Sequence, residues 1–378
     1  MLDSIGDSEL RWPEESSAFT DKSLDRLYLW AWNLGASGIR LQTDDPIVIQ
    51  LHGRVYKVTH RTLSWLEVEE AVNHLYGADG QARLKSGEDF DVAYEIQPDR
   101  STRRRFRVNA TPVLSNGNDG AEITARPLPD HIPRLEELNV EPGILENCRS
   151  FRDGLAIISG ATGNGKSTLM AGIIRKTLED PTSNSIILTY ESPIEFVFDK
   201  IKGPTSKIAQ TEIPRHLVAG FGSAIRNGVR REPTDIVVGE CRDADTMSAA
   251  ANAALTGHRV YTTVHASTVS ATIQRIVSLC PVEERASLTV AIAQTMRLIV
   301  NQRLVFSTDG RRTALREFLP FTRQVQDMFL DARPDDWHKI ARTALLKHGQ
   351  TFGVAARRAL DEGRILEDIA KPFLEDAI

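Results

Sequence analysis

A glycine-rich segment, GATGNGKST, has the residue types and spacing of a phosphate-binding loop. Its three glycines let the backbone curl around an anion without Cβ clashes, so that N–H groups and the following helix N-terminus point at the phosphates. Lys166 reaches the β and γ phosphates, and Ser167 is placed to ligate Mg²⁺. An apolar strand precedes the loop and a helical segment follows it, as this mechanism requires. We therefore predict an ATP site made by Gly160, Ala161, Thr162, Gly163, Asn164, Gly165, Lys166, Ser167 and Thr168.

Acidic residues follow two other predicted strands. Glu191 and Glu195 lie in IILTYESPIEFVFD, at the carboxyl end of a strand, where open parallel sheets collect their ligands. One of these carboxylates could orient or deprotonate an attacking water, and the alternative is that both are solvated loop side chains. In TDIVVGECRDADT, Gly239 occupies the position where P-loop proteins usually have an aspartate that holds Mg²⁺. Glu240 is then the acid that acts on Mg²⁺ through water. The alternative is that Glu240 is an ordinary exposed glutamate at the end of a strand.

Two histidines flank the strand RVYTTV. His265 follows it in VHAST, and His258 precedes it in TGHRV. A lone histidine is more often a hydrogen-bonded structural residue than a catalyst. The place of His265 at the end of a further strand of the same edge favours a phosphate-sensing role, and His258 is the weaker candidate.

Four arginines, Arg103, Arg104, Arg105 and Arg107, lie on an alternating segment of the first domain, and Arg126 lies at the linker. Alternation along a strand places Arg105 and Arg107 on one face, and a solvated charge run is the simplest interpretation. In an oligomeric ATPase, one or two of these side chains could instead reach the γ-phosphate of a neighbouring subunit.

The secondary-structure elements that must position these residues show two different sequence patterns along the chain. Residues 1–20 are polar, and we expect a flexible N-terminus. A helix from Asp21 to Gly35 and alternating strand segments predict an α+β domain over residues 21–128, followed by a proline-rich linker over 129–142. Short apolar strands then alternate with helices, which predicts an α/β core with a parallel sheet over residues 143–280. Its strands are Gly154–Ser159, Ser185–Tyr190, Asp235–Gly239 and Arg259–Val264, and residues 281–378 are predicted to be helical, including Ala286–Val300 and Pro334–Leu346.

The bulk composition limits the class of protein. The 378 residues carry a formal net charge of -5, which gives no global attraction for nucleic acid or an anionic membrane. Three cysteines without a CxxC pair exclude a disulfide framework and a four-cysteine zinc site. The start of the chain lacks the pattern of a signal peptide, and no apolar run approaches the roughly 20 residues that span a bilayer. We expect a cytoplasmic protein.

Four motifs in this order, the phosphate loop, YESPIEF, GECRDADT and TGHRVYTTVHAST, resemble the Walker A, Asp box, Walker B and His box of the secretion ATPase superfamily of type II and type IV secretion and type IV pili (GspE/PilT/VirB11-like). Within it, TYESPIEFVFD and TEIPRHL are most similar to the DotB/TraJ-type ATPases of type IVB secretion and conjugation. Ser192, where most pilus relatives have aspartate, agrees with this branch.

This resemblance implies a fold and a set of roles. It implies a PAS-like N-terminal domain, a RecA-like core with C-terminal helices, and ATP and Mg²⁺ as substrate and cofactor. By motif position it makes Glu195 the water-activating base, Glu240 the Walker B acid and His265 the His-box sensor. The nucleotide-contacting arginines that it implies are Arg107, Arg126 and Arg275.

The resemblance also implies partners. We expect a homohexamer recruited to the cytoplasmic face of the inner membrane by components of a secretion or conjugation apparatus, peripheral to the membrane and without direct nucleic-acid binding. A pilus retraction motor, a RecA-like nucleic-acid translocase and a non-catalytic nucleotide-binding scaffold are the alternatives.

Overall fold

The computed structural model describes residues 10–100 and 102–375 and divides into two compact units. The N-terminal unit contains the chain up to His131 together with Ser192–Phe196. The second unit contains Ile132–Glu191 and the chain from Val197 onward. In the part of the chain described, no helix is both long and apolar enough to cross a membrane.

The N-terminal unit is built on an antiparallel sheet of six strands, in the order β3-β2-β1-β6-β5-β4. Its elements are α1 (Asp21–Asn33), β1 (Gly38–Gln42), β2 (Pro46–Leu51), β3 (Arg54–Thr62), α2 (Trp65–Tyr76), α3 (Gly80–Lys85), β4 (Phe90–Ile96), β5 (Arg104–Ser115) and β6 (Asn118–Leu128). Leu24, Leu27, Tyr28 and Ala31 recur on one side of α1 at helical spacing and are fully buried in the core of this unit. The predicted first helix and the strand segments of this region are therefore present.

The prediction of a flexible N-terminus over residues 1–20 is wrong for the described part, and residues 1–9 lie outside the described residues. Trp12 and Phe19 are 3% and 2% exposed. The backbone N–H of Trp12 donates to the carbonyl of Val58 at 2.9 Å, and that of Phe19 donates to Oε1 of Glu67 at 2.7 Å. Burial of two large aromatic side chains outweighs the polar composition around them.

The second unit is built on a sheet of seven strands, in the order β13-β12-β7-β11-β10-β8-β9. In this order across the sheet, every strand from β12 to β9 runs parallel to its neighbours. Strand β13 pairs antiparallel with β12. The elements are α4 (Pro142–Ser150), β7 (Gly154–Ser159), α5 (Lys166–Glu179), β8 (Ile186–Glu191), β9 (Lys207–Glu212), α6 (Gly220–Val229), β10 (Asp235–Val238), α7 (Ala244–Leu255), β11 (Arg259–Val264), α8 (Val269–Leu279), α9 (Arg285–Thr295), β12 (Met296–Phe306), β13 (Arg312–Pro320), α10 (Arg323–Leu330), a short 3₁₀ helix (Pro334–Asp336), α11 (Trp337–His348), α12 (Phe352–Asp361) and α13 (Glu367–Glu375).

The apolar strands of this unit form where they are predicted, because each is a short run buried on both faces. All six residues of β7 are buried, as are all four of β10. The observed bounds differ from the predicted ones by one residue at β8 and β10.

The prediction that the C-terminal region is helical misses a strand pair. The predicted helix Ala286–Val300 is α9 only as far as Thr295, and the chain then enters β12. Leu298, Ile299 and Val300 pair with Ala156, Ile157 and Ile158 of β7. A short apolar run buried on both faces carries no periodicity that separates strand from helix, so pairing with a distant strand decides it.

Candidate nucleotide site

The predicted site residues of the second unit lie at one edge of its sheet. The phosphate loop follows β7, His265 follows β11, Glu240 comes two residues after β10, and Glu191 ends β8. These strands are neighbours and run parallel, so their carboxyl ends meet. The N–H of Gly160 donates to the carbonyl of Val264 at 3.4 Å, which ties the start of the loop to the end of β11.

The loop owes its shape to glycines with positive φ. Gly160, Gly163 and Gly165 have φ of 151°, 80° and 73°, and Gly165 is the N-cap residue of α5. A Cβ on Gly160 would lie 2.5 Å from the carbonyl oxygen of Gln302, a contact that real Cβ atoms do not make. At Gly160 the loop therefore needs glycine for space as well as for backbone conformation.

Lys166 begins α5 and folds its side chain back over the loop. Nζ donates to the carbonyls of Gly160 at 2.9 Å and Ala161 at 3.1 Å, and the residue is 8% exposed. Ser167 and Thr168 follow in the first turn of α5 and are half-buried, and Ala161 and Thr162 are exposed at the crest of the loop. A cation is thus held at the place where the loop and the helix N-terminus favour phosphate.

His265 lies between the lysine and the acid. Nδ1 is 3.4 Å from Nζ of Lys166, and Nε2 is 3.5 Å from Oε1 of Glu240. An ammonium can only donate, so Nδ1 is the acceptor, and in the neutral ring the proton then sits on Nε2, facing the carboxylate. The ring is 45% exposed and the Glu240 side chain 36%, so both are open to a ligand.

The Glu240 turn is held by the two strands beside it. The N–H of Gly239 donates to the carbonyl of Tyr190 at 2.7 Å, and Oγ1 of Thr263 donates to the carbonyl of Gly239 at 2.6 Å. Burial, with the nearby acidic groups, raises the pKa of the Cys241 thiol to about 12, so the residue after Glu240 is a neutral packing group. The acid is therefore presented on a fixed backbone.

Glu191 is engaged in local hydrogen bonds at the end of β8. Its Oε1 accepts from Oγ1 of Thr189 at 2.7 Å and from Nε2 of Gln210 at 3.3 Å. These hydrogen bonds fix the carboxylate at the sheet edge that also carries the phosphate loop. Its catalytic role stays a prediction.

Glu195 belongs to the N-terminal unit, in the segment Ser192–Phe196. Arg105 anchors that segment: Nη2 donates to the carbonyl of Ile194 at 2.7 Å and Nη1 to the carbonyl of Glu195 at 2.8 Å. Arg105 is 6% exposed, so this arginine is a buried anchor and does not belong to a solvated charge run. Sequence reasoning missed this role, because the pairing joins residues about 90 positions apart.

Arg107 and Arg126 lie directly opposite each other on β5 and β6. Arg126 is exposed, and Arg107 donates to the carboxylate of Asp91 at 3.3 to 3.4 Å. Like charges directly opposite in a sheet are unfavourable, and Asp91 offsets the charge of Arg107, so the exposed Arg126 is the member of the pair that an additional anion could reach. Arg275 lies exposed on α8 of the second unit, ten positions after His265.

His258 serves a structural purpose at the opposite end of β11. Its Nδ1 is 3.0 Å from the carbonyl oxygen of Ala253, and its own carbonyl accepts from the N–H of Gly154 at the start of β7. It is therefore separated from the phosphate loop by the length of the strand.

The donor set fits Mg²⁺ with few protein ligands. Within the described ranges, no three His, Cys, Asp or Glu side chains form a group that could hold a metal. Mg²⁺ in nucleotide sites takes one or two protein oxygens, with water and phosphate oxygens completing the shell. The half-buried Ser167 hydroxyl in the first turn of α5 and the Glu240 carboxylate supply oxygens of that kind.

Two residues next to the loop were missed at the level of sequence. Asn301 and Gln302 of β12 are 0% and 3% exposed, and their side chains donate to carbonyls of the loop after His265 and of the phosphate loop, respectively. The available signal was a pair of amide side chains directly after the apolar run LIV, but the segment was predicted as the end of a helix.

Comparisons with known proteins agree with this architecture. The type II/IV secretion system protein family matches residues 36–368. The type IV pilus retraction ATPase PilT of Pseudomonas aeruginosa is 29% identical over 340 residues, 89% of this chain and 94% of that protein. The X-ray structure of the ATPase DotB of Legionella pneumophila is 43% identical with a TM-score of 0.88, over 97% of this chain and 99% of that one. The crystal structure of the pilus retraction motor PilT with bound ADP is 26% identical with a TM-score of 0.76, over 92% of this chain and 95% of that one.

The mixed α/β fold with two sheets, the phosphate loop and these full-length similarities to ATPases lead to one assignment. The chain belongs to the type II/IV secretion system protein family and is an ATP hydrolase of the secretion and pilus motor class.

Proposed function

We propose that this chain is a hexameric ATPase motor that powers substrate export or assembly in a type IVB secretion or conjugative transfer system. The 43% identity and TM-score of 0.88 with DotB, against 26% and 0.76 with PilT, favour the secretion branch. The motifs TYESPIEFVFD and TEIPRHL favour it as well.

The observation that carries the proposal is the contiguous set Lys166–His265–Glu240 at the mouth of the phosphate loop. A cation, an imidazole and a carboxylate, with the imidazole next to both of the other groups, are what hydrolysis of a phosphoanhydride needs for charge neutralisation and for sensing the γ-phosphate. When bound, Mg²⁺ would supply positive charge that neutralises the phosphates. Ser167 would hold it directly and Glu240 through water.

In the proposed reaction, ATP and water give ADP and phosphate by in-line attack at the γ-phosphorus. Glu195 accepts the proton of the attacking water, and Lys166 stabilises the negative charge on the transferred group. Glu191 supports the same edge of the sheet. Arg107, Arg126 and Arg275 contact the nucleotide, with Arg107 and Arg126 of one subunit acting on the site of a neighbour.

The proposed setting is the cytoplasmic face of the inner membrane. The N-terminal unit would be the PAS-like domain of the motor, and peripheral recruitment by components of the secretion or conjugation apparatus would bring the hexamer to the membrane. The net charge of -5 gives no general attraction for nucleic acid, so ATP turnover should not need DNA.

The test begins with the purified full chain. We expect phosphate release that is independent of DNA and requires Mg²⁺, and a hexamer by light scattering in the presence of ATP. Lys166→Ala and Glu240→Gln should each reduce turnover about a hundredfold or more, because both remove charge that acts on the reacting phosphate. Glu70→Gln, an exposed change on α2, is the matched control. Turnover of Lys166→Ala at the wild-type rate would contradict the site, and a persistent monomer would contradict the ring.

A pilus retraction motor is the second candidate, favoured by the 29% identity with PilT over 89% of this chain. Deletion of the gene in its host separates the two. Loss of substrate secretion or of plasmid transfer with normal surface pili supports the proposal. Excess surface pili and loss of twitching would support retraction instead.

A further inference from the structure

Strand β12 supports the nucleotide site from both of its sides. Nδ2 of Asn301 donates to the carbonyl of Ala266 at 3.0 Å, and Nη2 of Arg303 donates to the carbonyl of Ser267 at 3.0 Å, so both hold the loop that follows His265. Gln302 points to the opposite face, as alternate residues of a strand do. Its Nε2 donates to the carbonyl of Asn164 in the phosphate loop at 2.7 Å.

The amide of Gln302 has one orientation that satisfies both of its ends. Oε1 accepts from Nε of Arg316 at 2.6 Å, and Arg316 is its partner across the β12–β13 pair. A guanidinium can only donate, so it fixes Oε1 on its own side and turns the NH₂ group toward Asn164. The side chain is 3% exposed, and water does not compete for either end.

Arg316 is itself held by the segment of chain that precedes α4. Nη1 donates to Oε2 of Glu141 and to the carbonyl of Asn139, both at 3.1 Å, and Nη2 donates to the carbonyl of Leu138 at 3.0 Å. Oε1 of Glu141 accepts from Nη2 of Arg358 on α12 at 2.8 Å. The exposed fractions of Arg316 and Glu141 are 1% and 4%.

A buried charge network of this kind adds little net stability, because the desolvation of the ions offsets their attraction. Its directional hydrogen bonds do fix the positions of the groups that they join, and the last of these groups is a carbonyl of the phosphate loop. The chain of contacts Asn164–Gln302–Arg316–Glu141–Arg358 therefore joins the loop to residues 138–141 and to α12.

We propose that Gln302 is a positioning residue for the phosphate loop, that Arg316 sets the orientation of its amide, and that the state of the loop is passed through this pair to residues 138–141 and α12. Fixing the Asn164 carbonyl fixes the peptide groups beside it, and the N–H groups of this loop are the ones that bind phosphate. Gln302 would act in this way whichever secretion or pilus machine the motor drives, and this role rests on the proposed phosphate site.

Substitution of Gln302 separates the two ends of its amide. In Gln302→Glu the carboxylate still accepts from Arg316 but cannot donate to Asn164, and it repels that carbonyl. We expect the Kd of a fluorescent ADP analogue and the KM for ATP to rise about tenfold, with kcat falling less, because the loop binds phosphate in both ground and transition states. The melting temperature of Gln302→Glu without nucleotide should differ little from that of the wild type. Gln302→Met, which keeps the volume and loses both bonds, should raise Kd and KM in the same way, and it should also lower the melting temperature because the buried Nε–H of Arg316 loses its acceptor.

The matched control is Gln326→Glu. Like Gln302, Gln326 donates through Nε2 to backbone carbonyls, in its case those of Gln294 and Met296, each at 2.9 Å, and both of these lie outside the phosphate loop. It should leave Kd and KM unchanged. Wild-type Kd and KM in folded Gln302→Glu, or an equal loss in the control, would overturn the positioning role. If Lys166→Ala binds the analogue normally, the phosphate site itself is wrong, which is a different failure.

Hydrogen exchange on the wild-type protein tests the coupling without any variant. ADP should slow amide exchange in the phosphate loop and also in residues 138–141 and α12, where the network ends. Protection confined to the loop would overturn the coupling even if Gln302 positions it.

Discussion

Nε2 of His265 lies 3.5 Å from Oε1 of Glu240, while Nδ1 of the same ring is 3.4 Å from Nζ of Lys166. The ring thus connects the lysine of the phosphate loop to the acid that follows the neighbouring strand β10. A γ-phosphate that draws Lys166 toward itself would change the hydrogen bond at Nδ1 of His265. A shift of the ring would then change its contact with Glu240.

The first prediction concerns His265→Ala. We expect the variant to fold and to bind ADP nearly as the wild type does, because the ring is half-exposed and the phosphate loop stays intact. ATP turnover should fall by about a hundredfold, as for loss of a group that acts on the reacting phosphate. Steady-state phosphate release and ADP titration measure both. His258→Ala, at the other end of β11, should lower the melting temperature and leave the ADP affinity unchanged.

The second prediction compares two glycines of the phosphate loop. Gly160→Ala places a Cβ 2.5 Å from the carbonyl oxygen of Gln302, a backbone atom that cannot move aside cheaply, whereas Gly163→Ala meets nothing within 4 Å. The second change carries only the strain of positive φ, about 1–2 kcal/mol. We expect ADP binding to be lost in Gly160→Ala and weakened in Gly163→Ala. Gly117→Ala, with φ of 82° in the turn between β5 and β6, should lower stability alone. Normal ADP binding by Gly160→Ala would be inconsistent with this account.

The third prediction concerns the arginine pair on β5 and β6. Arg107 and Arg126 are cross-strand partners, and removing one charge from a like-charged pair should not lower the stability of the N-terminal unit. Arg126→Ala should nevertheless reduce ATP turnover about tenfold or more if the side chain stabilises phosphate charge in a neighbouring subunit.

If the proposed hexamer forms, mixed assemblies of two variants test that prediction more directly. A Lys166→Ala subunit has an inactive phosphate site but intact arginines. An Arg126→Ala subunit has an intact phosphate site but lacks the Arg126 side chain that would act on the site of its neighbour. Mixing the two variants should give more turnover than the sum of the two measured separately. If no ratio of the two restores activity, Arg126 acts within its own subunit or serves structure alone.

The fourth prediction concerns acid stability of the N-terminal unit. Burial acts to raise the pKa of Glu67, but hydrogen bonds from Arg61, Ser64 and Phe19 outweigh it and lower this pKa to about 2. A lowered folded-state pKa stabilises the fold above the unfolded value, about 4.3, and this contribution is lost as pH falls toward 2. Glu67→Gln should be less stable than wild type near neutral pH, and the difference should shrink as pH falls through that window. Urea unfolding followed by tryptophan fluorescence measures it, with Glu70→Gln as control. A stability difference independent of pH would rule out the carboxylate as the cause.

Much of the second unit could be predicted because its signals are local. The strand GLAIIS, the glycine spacing of the phosphate loop and the apolar runs before Glu191, Glu240 and His265 each depend on a few neighbouring residues. Burial on both faces and the steric freedom of glycine act at that range. The family resemblance rests on the same motifs.

Long-range pairing decided the rest. In the sequence His265 comes last of the four motifs, but the sheet places β11 between β7 and β10, and this order brings its ring to both Lys166 and Glu240. The strand pair β12–β13, predicted as helix, forms because Leu298, Ile299 and Val300 pair with β7, and it carries Gln302 to the back of the phosphate loop. Arg105 became a buried anchor through carbonyls of the 192–196 segment. The sequence by itself thus determined which groups the site contains, since their chemistry and local conformation are set by adjacent residues. Only the tertiary structure decided which of them touch, because strand order and cross-chain hydrogen bonds depend on burial shared by segments far apart in the chain.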